Sequence, residues 1–134
     1  MKAAAHHIPQ IARQWYASKQ ETAFAQLDVE WSVPLCATHL HQVLDADNTY
    51  LAVELQGSKV VAACGATLVH LLTPPHMLTV TEWMWVGTGK GAAKVWKECR
   101  EWGKSKGATL AHCAIGTVGY SKRKFTEQSQ WRVL

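Results

Sequence analysis

Apolar residues change their spacing twice along this chain, and the changes divide it into elements. Ile8, Ile11, Ala12, Trp15 and Tyr16 recur at helical intervals, with Pro9 in the first turn where proline is tolerated. They predict a helix over Ile8–Lys19. The stretch to about Glu30 is polar and reads as loop or a short helical piece. Val33–Leu44, with Pro34 near its start, predicts a second helix whose stripe is Leu35, Leu40, Val43 and Leu44. From Thr49 the period shortens. Thr49–Leu55 and Lys59–Cys64 flank Gln56-Gly57-Ser58, a hairpin signal. Gly65 interrupts the second arm, as at a bulge or a close backbone approach. The arm resumes over Thr67–Leu72 and ends at Pro74-Pro75, which cannot donate to a ladder.

A third strand is predicted over Leu78–Val86. Strict alternation puts Leu78, Val80, Glu82, Met84 and Val86 on one face, and Thr79, Thr81, Trp83 and Trp85 on the other. A helix follows from about Gly89 to Lys106. Its apolar side is Ala92, Val95, Trp96, Cys99 and Trp102, and its solvated side is Lys94, Lys97, Glu98, Arg100, Glu101 and Lys104. Gly107 suits the left-handed residue past a helix end. Thr109–Ile115 reads as a buried strand, so Leu78–Ile115 forms a strand–helix–strand crossover with parallel strands. Gly119–Gln130 is expected to be helical and Trp131–Leu134 a short last strand. The order is a mixed α/β layout.

Gly87, Gly89 and Gly91 stand where the third strand turns into its basic helix. Glycines let backbone approach a ligand closely, and a helix start presents unpaired N–H groups and the positive end of its dipole. Such a turn is a pyrophosphate cradle or merely a tight bend, and the turn by itself fits both.

Length and composition narrow the class. At 134 residues with 48% hydrophobic and 18% charged content, the chain is expected to be one globular domain over residues 1–134. It has no apolar run of the roughly 18–20 residues a membrane span needs, and its start lacks the apolar core of a secretory signal. The expected location is cytoplasmic. Cys36, Cys64, Cys99 and Cys113 are scattered in apolar sequence without C-x-x-C spacing, as buried free thiols would be. The histidines have no metal-ligand spacing, and no metal is expected. His112 on the predicted strand reads first as a packed histidine. The net charge of +4 concentrates late in the chain, which suits an anionic partner such as a phosphorylated small molecule. Nucleic acid has only that charge in its favour.

The element order and the glycine turn resemble the GNAT (GCN5-related N-acetyltransferase) superfamily, most of all the compact GNAT-like proteins encoded by bacteriophages. The likeness covers nearly the whole chain and is strongest over Glu82–Ala108 and in the hairpin A-V-E-L-Q-G-S-K-V-V-A-A-C-G. It implies a mixed, mostly antiparallel sheet with a splayed parallel pair, about four helices, and a short first strand within Met1–His7. The resemblance further implies acetyl-CoA as co-substrate. The family's Q/R-x-x-G-x-G/A turn falls on Val86 through Gly91, with Val86 where Gln or Arg stands in the family. Trp85, Val86, Gly87, Thr88, Gly89, Lys90, Gly91 and Ala92 are the implied cofactor-binding residues, Trp85 and Val86 through their backbone.

For catalysis the resemblance implies an amine attacking the thioester, a base taking its proton and a tyrosine protonating the departing thiolate. Glu82 is the implied base; as a residue it reads equally as a carboxylate satisfied by a nearby Arg or Lys. Phe125 or Thr126 occupies the family's tyrosine position, which leaves Tyr120 as the candidate acid. The chain also stops within what would be the family's sixth strand, so an exposed sheet edge suggests a homo-oligomer or a partner protein. Two functions follow. One is an N-acetyltransferase acting on an amine of a small molecule or protein. The other is a GNAT-like structural protein without catalysis, such as a bacteriophage virion component.

Overall fold

The computed structural model describes residues 1–18, 31–71, 77–113 and 131–134. The expected helix over Gly119–Gln130, the Pro74-Pro75 break and Tyr120 lie outside them. Helix α1 spans Ile8–Ser18 and α2 Val33–Leu44. Strands β1 (Thr49–Gln56), β2 (Lys59–His70) and β3 (Leu78–Gly87) follow, then α3 (Gly89–Ser105), β4 (Leu110–Cys113) and β5 (Trp131–Val133). The sheet has five strands in sequential order. All neighbours are antiparallel except β3 and β4, which run parallel across the α3 crossover as expected. The expected first strand is a single antiparallel bridge, Lys2 to Ala52, with Ala3 N–H donating to Leu51 O at 2.7 Å.

Two cores flank the sheet. On one side α1 and α2 contribute Ile8, Ile11, Ala12, Cys36 and Leu40 against Leu51, Val53, Met84 and Val86. On the other, α3 contributes Ala92, Val95 and Cys99 against Ala62, Cys64, Ala66, Val80 and Ala111. Small residues on β2 let α3 lie close. The α2 stripe is Cys36, Leu40 and Leu44, an i, i+4, i+8 row. Leu35 was expected in it, but the helix begins at Val33, capped by the Ser32 hydroxyl accepting from Leu35 N–H, and this first turn leaves Leu35 exposed. Tyr16, also expected in a core stripe, lies toward solvent.

Helix α1 is pinned by polar contacts as well as packing. The β2–β3 ladder ends at Ala62–Gly87, so Val60 extends beyond β3. Its N–H donates to Gln10 Oε1 at 2.8 Å and its carbonyl accepts from Gln14 Nε2 at 2.7 Å. Two side chains one helical turn apart thus replace a missing strand, satisfying backbone groups that would otherwise be costly to bury.

One irregularity decides which residues reach which core. Gly65 pairs with Met84 and Ala66 with Glu82, leaving Trp83 as an extra residue on β3. Strict alternation therefore fails at this bulge. Val80 and Glu82 face α3, whereas Met84 and Val86 face α1 and α2. Trp83 joins the α1/α2 side and Trp85 the α3 side, so the two tryptophans do not share a face. Gly65 is where the bulged ring lies: a Cβ there would stand 2.6 Å from Trp83 Cη2. Cys36, Cys64 and Cys99 are buried free thiols as expected.

Candidate active site

The turn between β3 and α3 has two glycines in left-handed backbone, for different reasons. Gly87 (φ 95°) lies against β2, and a Cβ on it would stand 2.4 Å from the Val61 carbonyl oxygen. It is a packing glycine. Gly89 (φ 67°) has nothing among the described residues within 4 Å of where a Cβ would be, so its requirement there is conformational. Thr88 between them is extended and its side chain caps no N–H of α3. Thr88, Gly89 and Lys90 are all exposed. The first turn of α3 thus opens outward with its N–H groups and dipole available to an anion, and Lys90 stands beside it.

The other implied cofactor residues divide sharply. The Val86 side chain is buried in the α1/α2 core and that of Ala92 in the α3 core. Neither side chain is presented to a ligand, so only their backbone is left for that role. Gly91 would hold a Cβ at ordinary contact distance, 3.5 Å from Val61 Cγ2, and glycine is not sterically required there. Trp85 is half-buried toward α3.

Beside the turn, the two parallel strands share a short ladder. Pairing runs from Thr79–Leu110 to Glu82–Cys113. Among the described residues nothing pairs with the β4-facing edge of β3 from Trp83 to Gly87. That edge is a strip of backbone donors and acceptors leading from Glu82 to the turn, a span of about 16 Å at roughly 3.3 Å per residue. An extended pantetheine arm, itself a chain of amides, matches such a strip in length and chemistry. With the open Gly89 turn at one end, the residues fit acetyl-CoA.

Glu82 lies at the other end of the strip, fully buried. Its Oε1 accepts from Arg100 Nε at 3.0 Å and its Oε2 from Trp96 Nε1 at 2.8 Å. The Arg100 guanidinium also stacks on the Trp96 ring, 3.7 Å from its centroid. Arg100 was expected on the solvated face of α3. It turns inward because a carboxylate without a cation is far more costly to bury than a paired one. Sequence allowed both a base and a paired carboxylate at Glu82, and this geometry is the paired one. The rest of the basic face is solvated, with Lys94 bonded to Glu54 at 2.9 Å and Lys97 near Glu101.

On the opposite face the same stretch of β3 carries aromatic and hydroxyl groups. Trp83 Nε1 donates to Thr67 Oγ1 at 2.9 Å, and its ring meets Trp15 (5.6 Å between centroids) and His39 (5.0 Å, edge-on). Trp15 in turn meets Trp31 edge-on at 5.2 Å. Sequence spacing hides this cluster, because its members come from α1, the residue before the α2 cap, α2 and a strand bulge. Its one local signal is the seven tryptophans. Among the described residues no group of three or more potential metal ligands occurs, and no helix is long and apolar enough to cross a membrane.

No family model matches the chain, and no curated protein sequence matches it. Solved structures do. A ribosomal-protein-alanine N-acetyltransferase from Brucella melitensis is similar over 100% of this chain and 98% of its own (TM-score 0.73, 10% identity). A transcriptional regulator from Bacillus halodurans C-125 matches over 96% and 92% (TM-score 0.72, 14% identity). An aminoglycoside acetyltransferase from an uncultured soil metagenomic sample matches over 93% and 82% (TM-score 0.63, 16% identity). These identities carry fold rather than substrate. With its mixed sheet and parallel β3–β4 pair, this chain has the GNAT-like fold.

Proposed function

We propose that the protein is an acetyl-CoA-dependent N-acyltransferase that moves an acetyl group to an amine. The observation that supports this most is the open first turn of α3 behind Gly89, continuous with the β3 edge whose β4 side has no partner among the described residues. The first holds an anionic phosphate end and the second an amide arm. Lys90 adds charge in place of the polar residue that Val86 replaces. Glu82, in this reading, holds α3 against β3 through Arg100 and Trp96 and so fixes the turn. The acid Tyr120 remains part of the proposal through the family resemblance.

Thermal unfolding with acetyl-CoA tests it. A ligand that binds only the native state at about a hundredfold its Kd adds about 2.7 kcal/mol of stability. A clear rise in Tm is expected, and no rise at millimolar acetyl-CoA would sink the proposal. A second reading is supported by the engagement of both Glu82 oxygens: a GNAT-fold protein that binds without turnover, for instance as an oligomeric bacteriophage virion component. Stabilisation by CoA together with no acetylated product from any amine would favour it.

A further inference from the structure

Four successive strand registers align one row of residues across the whole sheet. Thr49 pairs with Thr67, Thr67 with Thr81, Thr81 with His112, and His112 with Trp131. Residues paired across neighbouring strands share a face. The face is the α1/α2 side, because Thr67 takes the Trp83 indole N–H there and its hydroxyl lies 3.4 Å from that of Thr49. Ala111, next to His112, belongs to the α3 core, which puts the imidazole on the opposite side. The helices do not seal this end of the face. Thr81 and His112 are half-buried, and Val69, near the row on β2, is 44% exposed.

This row lies one residue short of Glu82–Cys113, the last pair of β3 and β4 among the described residues. A thioester carried along the β3 edge from the Gly89 turn would end there. His112 thus stands beside the reacting end, on the face that also carries Trp83 and its neighbours Trp15 and His39. Glu82 stands beside the same end on the other face, engaged by Arg100 and Trp96.

We propose that this half-buried platform receives the acceptor amine and that His112 is the base that takes the amine proton, an assignment that rests on the acyltransferase reading above. The amine lone pair forms a C–N bond with the thioester carbonyl carbon. The C–S bond breaks and its electron pair leaves with sulfur. The proton lost by nitrogen passes to the His112 imidazole and from there to solvent, and the thiolate takes its proton from the acid of the acyltransferase reading, giving an N-acetyl amine and a free thiol. The indole wall of Trp83 and Trp15 suits amines with a flat or apolar body. Burial lowers the His112 pKa below the ordinary histidine value, so the ring is neutral and able to accept a proton at neutral pH. Among the described elements, β3 faces it with the Thr81 hydroxyl, and α2 brings His39 to Trp83. The charged pair Glu82–Arg100 is on the far side of the sheet.

The test combines histidine ring NMR with a rate measurement, using acetyl-CoA and phenethylamine as probes. Acetyl-CoA should raise the Tm of wild type, His112→Gln and His112→Asn alike, and should move the His112 ring resonances but not those of exposed His41. CoA release with phenethylamine should fall about 100-fold in both variants. The wild-type rate should hold through the ordinary histidine range and decline only at lower pH, as His112 becomes protonated. His41→Gln should match wild type. If acetyl-CoA stabilises the protein while the His112 resonances stay fixed, or if His112→Gln keeps its rate, His112 is not the base. If acetyl-CoA fails to stabilise any form, the acyltransferase reading itself falls, and the His112 assignment with it.

Discussion

The two faces of β3 treat adjacent residues in opposite ways. On the α3 face, Glu82 is fully buried and held by Arg100 and Trp96. On the α1/α2 face, Thr81 and His112 sit half-buried in a row of hydroxyls beside an aromatic cluster. The first is a buried polar pair, where any missing partner is costly. The second is half-buried. The contrast teaches that the setting of an acidic strand residue is not fixed by its place in the strand. What packs over it decides, and here a neighbouring arginine folds inward to neutralise it.

The largest break in this contrast should come from Arg100→Leu. It strands the Glu82 carboxylate in the core, and urea unfolding should show a loss of about 3–5 kcal/mol, much of it restored by a Glu82→Met, Arg100→Leu double variant. Gly87→Ala comes next, at about 2–3 kcal/mol, since a Cβ would meet the Val61 carbonyl oxygen at 2.4 Å in left-handed backbone. Gly89→Ala should cost less, about 1 kcal/mol, because only the backbone conformation is strained. Reversal of that order would mean the turn is not packed as described. Trp83→Phe, which removes the bond to Thr67 Oγ1, should cost about 1 kcal/mol in the same assay.

The smallest effect is a pH dependence. Burial, then the neighbouring His6, lowers the His7 pKa, and its Nδ1 accepts the Ala4 N–H at 3.0 Å. A folded-state pKa below the unfolded value means that protons favour the unfolded chain. Stability should therefore be complete above about pH 6.5 and decline as pH falls toward the folded pKa. Melting temperatures across that window should show the slope, and His7→Asn should flatten it. His39 and His112, both lowered by burial, add to the slope in the same direction.

Much of the fold was legible residue by residue. The extent of α2, the Gly57-Ser58 hairpin turn, the glycine turn into α3, the left-handed Gly107 (φ 93°) and the parallel β3–β4 pair all follow from spacing and turn chemistry. The site was less legible. The glycine turn could be found, but not that Gly87 serves packing while Gly89 faces open space. Glu82 could be found, but not its partner, because Arg100 lies among lysines that read as a solvated face. The Trp15–Trp83–His39 cluster leaves only the abundance of tryptophan as a trace, and the Thr–Thr–Thr–His row none, since their members are far apart in sequence.

By itself the sequence determined the order and type of the helices and strands among the described residues, the glycine-led basic helix included, because periodicity and turn preference are local properties of backbone and side chain. Tertiary structure alone decided which face each residue of β3 occupies. One bulged residue, Trp83, reverses the alternation between Glu82 and Met84, and a bulge depends on how the neighbouring strand, with its glycine at position 65, pairs across it. It likewise decided that Glu82 is fully buried beside Arg100 while His112 is half-buried, since burial depends on what the chain brings over each residue from far along its length.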